Sequence, residues 1–350
     1  MRCLVRLALF VLACVLTFDI RLASAATIDF KNQTISMVVG AEPGGGTDTT
    51  ARLMAPFFEK YLPGKPSVVI RNRPGAGGVT ALNYVVQQTK PDGLTLIGGG
   101  NAQLSPVTYR KSGVYDPRKF RVIGGLGRGG TVMIVNKDHE ARLYDKSQPP
   151  LFYGALDGTR SGEQVVFWGM EYLNWNAKIV IGYRGTNELS VAMDRGEIDM
   201  HTTSNVFLVK RLMESGRFNI IGQSGMLANG RFAPRPDFPN VPVIGDVIGA
   251  KITNPIAQQA FDYLQSFTAT DKWIGLREGT ADDVLQVYRE AFNKIVADPD
   301  FQARAGTGGE DMSPQAPQDV ELLIRQMADL TPEAEEYIKD IQRRHGLDVH

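Results

Sequence analysis

The sequence predicts an α/β protein of two lobes, each a mostly parallel sheet flanked by helices, with two crossings of the chain between them. Three observations predict it. A unit of apolar strand, glycine-rich loop and amphipathic helix recurs over residues 35–101, the same unit returns after residue 150, and a glycine run at 124–130 and a proline-rich stretch at 225–242 separate the two series. Such alternation builds sheets covered by helices, and their ligands bind beyond the carboxyl ends of the strands.

The N-terminus precedes this pattern. Arg2 and Arg6 lead into the apolar run Leu7 to Phe18, and Ala23-Ser24-Ala25 supplies a small-residue cleavage site, so residues 1–25 read as a secretory signal peptide cut after Ala25. The apolar run is shorter than the roughly 20 residues that span a bilayer. Val11-Leu12-Ala13-Cys14 offers an alternative, a lipoprotein box acylated at Cys14. Cleavage after Ala25 removes both cysteines of the chain, and with them every disulfide, thiol nucleophile and cysteine metal site. Balanced charge, 38 basic against 38 acidic residues, and 43% hydrophobic content exclude disorder and a phosphate-neutralising nucleic-acid binder.

Ile35–Val39 is the first strand. It runs into Gly40-Ala41-Glu42-Pro43-Gly44-Gly45-Gly46-Thr47-Asp48, and Thr49 to Lys60 follows as a helix with Asp48 or Thr47 as its N-cap. Val68–Ile70, the loop Arg71-Asn72-Arg73-Pro74-Gly75-Ala76-Gly77-Gly78 and a helix from Val79 to Thr89 repeat the plan, and Leu94–Ile97 ends in Gly98-Gly99-Gly100-Asn101. In the second series Val132–Val135, Leu151–Gly154, Ala177–Ile181 and Gly196–Met200 read as strands, with helices over Glu163–Asn174 and Glu188–Arg195. Trp168 and Trp175 read as packing residues. Four prolines between Pro234 and Pro242 bar a helix or central strand there, and beyond them the chain reads as helical to its end, with a helix opened by Thr280-Ala281-Asp282-Asp283 and others starting near Gln318 and Pro332. The expected partition is lobe 1 at 26–128 plus 243–350 and lobe 2 at 129–242. Hinges are expected near 124–131 and 225–242, around a cleft that closes on its ligand.

The loops point to an anion. A helix N-terminus presents unpaired N–H groups and about half a positive charge, and glycines let a ligand approach the backbone. Gly44-Gly45-Gly46 and Gly75-Ala76-Gly77-Gly78 are therefore the first binding candidates, although tight βα turns also use glycine for conformation alone. Neither loop matches a dinucleotide or P-loop fingerprint. His139, His201, His345 and His350 lack zinc spacing and read as structural, and Gly222-Gln223-Ser224-Gly225-Met226 departs from a serine-hydrolase elbow and reads as a loop. No catalytic residue, metal or cofactor is expected.

Gly44-Gly45-Gly46-Thr47-Asp48 with Ala51-Arg52, then Asn72-Arg73-Pro74-Gly75-Ala76-Gly77-Gly78, then Pro91-Asp92-Gly93-Leu94-Thr95-Leu96, resembles the substrate-binding receptors of tripartite tricarboxylate transporters, the Bug family. Tyr183-Arg184-Gly185, Gly196-Glu197-Ile198-Asp199, Arg235 to Pro242 and Asp298-Pro299 extend the likeness over about residues 34–330. The resemblance implies a two-lobed periplasmic binding protein, type II-like, that closes like a flytrap on a small organic carboxylate and passes it to membrane permease subunits, as a monomer without nucleic acid. It implies a carboxylate clamp made of Pro43, Gly44, Gly45, Gly46, Thr47 and Asp48 with Gly75, Ala76, Gly77 and Gly78. Asn101, Thr159, Ser161, Tyr183, Arg184, Gly185 and Thr186 would then face the ligand's variable part.

The chain departs from the family at Ala41-Glu42-Pro43 and from Ala155 to Gln164, where specificity is set, so no particular substrate is transferred. An acid such as Glu42 or Asp157 in the cleft would favour a ligand with a positive or hydroxyl group. Two other classes fit the same scaffold: a receptor docking a membrane sensor, and an exported hydrolase or isomerase of small carboxylates.

Overall fold

The computed structural model describes residues 28–127, 129–156, 161–183, 186–306 and 312–347. The signal segment, Arg128, Asp157, Thr159, Arg184 and Gly185 lie outside them. β1 (Thr34–Val39) is the first apolar, β-branched run, and α1 (Gly46–Tyr61), β2 (Ser67–Asn72), α2 (Val79–Gln88) and β3 (Thr95–Gly100) follow as the repeated unit requires. β1 pairs in parallel with β2 on one side and β3 on the other, Val39 standing opposite both Asn72 and Gly98. The carboxyl ends of three strands therefore meet at one edge.

β4 (Arg121–Gly127) completes this part of the first sheet, and four residues later β5 (Val132–Asn136) opens the second. β6 (Leu151–Gly154), α3 (Ser161–Tyr172), β7 (Ala177–Val180), α4 (Thr186–Arg195), β8 (Met200–Thr203), α5 (Val206–Glu214) and β9 (Phe218–Gln223) continue it in the order β7-β6-β8-β5-β9. The return passes through a short hairpin, β10 (Met226–Ala228) with β11 (Arg231–Ala233), then α6 (Ile244–Gly249) and α7 (Pro255–Ala269). Asn254 caps α7 by accepting from the N–H groups of Ile256 and Ala257, with Pro255 in the first turn where a missing N–H costs nothing. β12 (Lys272–Leu276), α8 (Asp282–Ala297), α9 (Pro299–Gly306), β13 (Ser313–Gln315), α10 (Pro317–Ala328) and α11 (Pro332–Arg344) finish the chain.

Four expectations change. The terminal segment is not all helical, since β12 and β13 enter the first sheet in the order β13-β4-β12-β3-β1-β2. The sheets are mixed rather than mostly parallel: β12 is antiparallel to β3 and β4, and β5 is antiparallel to β8 and β9. The reason is direction of entry, because β3 and β4 end at the edge between the sheets whereas β5, β12 and β13 start there. The strand expected at 196–200 begins only at Met200, a turn taking Gly196 to Asp199. Finally α1 begins at Gly46 with Gly45 as N-cap and no side-chain cap, which puts Thr47 and Asp48 inside the first turn.

One apolar cluster fills the space between the first sheet and α1, α8 and α9, around Phe57, Phe58, Tyr288 and Phe292. Another covers the opposite face and runs on into the second lobe. There Trp168 of α3 lies 4.9 Å from the Phe261 ring of α7 and stacks on Tyr172, whose hydroxyl meets that of Tyr337 on α11 at 2.6 Å. Gln342 of α11 donates to Gln164 of α3 at 2.7 Å, a buried bond. The last helix thus packs against both lobes.

Candidate functional site

The first loop is organised by Asp48. Its carboxylate accepts from the Gly44 N–H at 2.8 Å, from Arg52 Nε at 2.8 Å and from Asn72 Nδ2 at 2.8 Å, and Asn72 Nδ2 also donates to the Ala41 carbonyl. Burial alone would raise the Asp48 pKa, but the bonds from Arg52, Gly44 and Asn72 hold it down at about 2. The carboxylate is therefore neither an N-cap nor free for a ligand: it folds the loop back over the start of α1 and ties it to the end of β2. With no cap at Gly45, the first N–H groups of α1 have no side-chain partner among the described residues.

The second loop takes an unusual path. Gly75, Ala76, Gly77 and Gly78 all have positive φ, at 126°, 48°, 64° and 94°. Only Ala76 pays for this with a Cβ, at a cost of about 1–2 kcal/mol. Gly78 also packs so closely that a Cβ there would collide with the Gln103 carboxamide, and a Cβ on Gly40 would come within 2.6 Å of Gly78 Cα. The two loops therefore touch backbone to backbone, and Gly78 caps α2 with no side-chain bond.

Between the lobes lies a cavity of about 500 Å³. Asn101, Phe267–Asp271 and Ser313–Gln315 form its first-lobe wall, Gly162, Glu163 and His201–Ser204 its second-lobe wall, and Gly127, Gly129–Thr131 and Gly225–Leu227 its hinge side. Of the residues expected from sequence, Asn101 lines it. Pro43 to Thr47 and Gly75 to Gly78 stand outside the lining; of these, the Thr47 hydroxyl lies beside Gly100, next to Asn101. Tyr183 packs half-buried against the apolar cluster under α4 and α5, outside the lining. Ser161 and Thr186 open α3 and α4, and their side chains lie outside the described residues, as do Thr159, Arg184 and Gly185.

Sequence reasoning missed most of the second-lobe wall. Thr202, Thr203 and Ser204 stand at the carboxyl end of β8, where the binding rule for such sheets would have directed attention had the strand been placed correctly. Glu163 was visible as a departure from the family pattern, and its buried carboxylate accepts the Leu156 N–H at 2.6 Å. His201 read as structural, yet it lines the cavity, 3% exposed, with no well-formed hydrogen bond at either ring nitrogen among the described residues. Burial pushes its pKa down to about 4, against a smaller upward pull from the Gly154 carbonyl.

The two crossings are fastened by Arg235, fully buried, which donates to the carbonyls of Gly130 at 2.7 Å and Ser204 at 3.3 Å. Thr131 and Ser224 exchange bonds beside it, Thr131 N–H to Ser224 Oγ at 2.8 Å and Ser224 N–H to the Thr131 carbonyl at 2.9 Å. Ser224, in the elbow-like pentapeptide, thus serves as a clasp between the two crossings. Its hydroxyl is already engaged with the backbone of the other crossing.

Among the described residues no helix is long and apolar enough to cross a membrane. The chain matches the tripartite tricarboxylate transporter family receptor (TctC) over residues 51–341. It is 29% identical over 239 residues to a UPF0065 protein of Bordetella pertussis, a match covering 64% of this chain and 69% of that one. A TctC solute binding protein from Polaromonas, solved with no ligand, superposes with a TM-score of 0.66 at 16% identity, over 89% of this chain and 98% of that one. An R. palustris protein solved with adipate superposes with a TM-score of 0.52 at 20% identity, over 90% and 97% of the two chains. With its two-lobed α/β fold and a family match over most of its length, the chain belongs to the tripartite tricarboxylate transporter receptors, a family of periplasmic solute-binding proteins rather than enzymes.

Proposed function

We propose that this receptor captures a small carboxylate-bearing organic acid in the interlobe cavity and delivers it to the permease subunits of a tripartite transporter. In this reading it acts as a monomer released by cleavage after Ala25, with 26–128 and 243–350 as one lobe and 129–242 as the other. The observation that carries the reading is the pairing of two helix N-termini, those of α1 and α2, which lack side-chain caps and lie on touching loops beside a cavity sized for a small ligand. One carboxylate would rest on these N–H groups while the second lobe reads the rest of the molecule.

A thermal-shift panel of mono-, di- and tricarboxylates tests it. An acid present at about a hundred times its Kd stabilises by about 2.7 kcal/mol, a rise of a few degrees in Tm for a chain of this size. A panel in which neutral sugars shift Tm and no acid does would overturn the reading. Gly77→Asp sharpens the test by adding a fixed negative charge among the proposed clamp amides, with Gly77→Ala as its steric control, since a Cβ here comes within 2.8 Å of the Thr108 methyl. The shift from the best acid is expected to vanish, with far-UV circular dichroism unchanged; an undiminished shift clears the second loop of a role.

A further inference from the structure

His201 is an unexplained expense in this fold. It sits on β8 opposite Ile134 of β5, beside an apolar cluster that includes Val132, Ile134 and Leu189, and among the described residues neither imidazole nitrogen makes a well-formed hydrogen bond, the Gly154 carbonyl giving only a weak contact. Leaving a buried polar group unpaired costs about 1–3 kcal/mol, and native folds rarely carry that cost without return. A leucine would fill such a place at no electrostatic cost. What distinguishes the position is the cavity: His201 belongs to its second-lobe wall, with Thr202, Thr203 and Ser204 beside it and Asn101 and Asp271 on the first-lobe wall.

We propose that His201 is the second-lobe residue that receives the ligand's far acidic group, and that it takes up one proton from solvent as that group arrives. The proposal rests on the reading of the cavity as a carboxylate site and adds to it a residue, a preference for acids with two charged ends, and a coupling to pH. A neutral imidazole offers one donor; an imidazolium offers two and a full charge. A carboxylate coming to rest beside it favours the charged form, as any opposite charge does at short range. No bond of the ligand is made or broken.

The other ionisable groups on the elements packed against β8 are few at this end. β5 brings none; β6 brings Tyr153, whose hydroxyl is bonded to Thr202; α3 and α4 bring Glu163 and Glu188 in their first turns. At the far ends of those helices Glu171 pairs with Arg344 and His345, and Tyr172 bonds Tyr337; Asp194 pairs with Arg211 and Arg217, and Arg195 with Glu197. Across the cavity Asp271 is paired with Lys272. In the unliganded fold the influences on the His201 proton are burial, which disfavours it, and the Gly154 carbonyl, which favours it.

Isothermal titration calorimetry on the native protein tests the coupling, with succinate, glutarate and adipate against butyrate, pentanoate and hexanoate, in PIPES and in Tris at about pH 7, where each acid is fully ionised. The best dicarboxylate is expected to show proton uptake, seen as a buffer-dependent enthalpy, and affinity rising by up to about tenfold per pH unit between about pH 8 and 6.5. The matching monocarboxylate is expected to show neither. His201→Gln should abolish both effects for the dicarboxylate. Equal heats in the two buffers, or an unchanged pH dependence in His201→Gln, would overturn the role of His201 while leaving the carboxylate site standing. If none of the six acids binds, the preference for acids with two charged ends falls, and the wider thermal-shift panel decides the carboxylate reading. Should the variant fail to fold, the proton count on the native protein decides.

Discussion

Replacing Asp48 by alanine is expected to abolish ligand-induced stabilisation and to cost about 3 kcal/mol of folding stability. The carboxylate holds the Gly44 N–H, Arg52 and Asn72 at once, and bonds to a charged acceptor are each worth about 1.5–3 kcal/mol, partly recovered when freed donors reach water. Arg52 is half exposed and rehydrates easily, whereas Asn72 loses its anchor to the loop. Asp48→Asn should fall between, retaining an acceptor without the charge. The pH sign follows from the depressed pKa: Asp48 contributes its full share above about pH 4, and that share is lost as pH falls through about 2. Urea unfolding at neutral pH measures the loss, and the acid panel measures the binding. Full stability in Asp48→Ala would mean that the loop holds its shape without this anchor.

The second large effect belongs to His201 without ligand. Its folded pKa, about 4, lies below the ordinary 6.5, so the unfolded chain binds the extra proton first. Stability is whole above about pH 6.5 and falls as the medium is acidified towards pH 4, by about 3 kcal/mol in total. Denaturant midpoints taken across that interval should fall more steeply for the native chain than for His201→Gln. The carboxylates held low, Asp48 and Asp298, lose their contributions at lower pH and leave the interval clear. Parallel curves for the two proteins would show that the buried imidazole finds a proton's worth of solvation elsewhere.

What could be read beforehand was what chain neighbours dictate. Strand, glycine loop and helix follow one another in sequence, so β1 to β3 with their helices were legible, as was Ser224 as a loop residue. The motif Asn72 to Gly78 was legible as a tight glycine loop, and its run of positive φ explains why three of its last four residues are glycine. The Asp48, Arg52 and Asn72 ring was not legible, because it closes across a strand pairing. β12 escaped notice because Lys272-Trp273-Ile274-Gly275-Leu276 has neither alternation nor turn signals that separate it from the end of a helix. That omission hid the first-lobe wall, which is built from the residues before β12 and from β13. His201 failed for another reason: a lone histidine among apolar residues looks the same whether its nitrogens are satisfied or waiting.

Arg235 also bears on mechanics. One guanidinium grips the Gly130 carbonyl of the outgoing crossing and the Ser204 carbonyl at the tip of β8, while its own N–H bonds Gln223 of β9 on the return. Two ribbons riveted side by side resist twisting and shearing but still flex together, as a book spine does. In the proposed capture cycle, opening and closing would then have one soft direction, and the two faces of the cavity would meet in the same register each time.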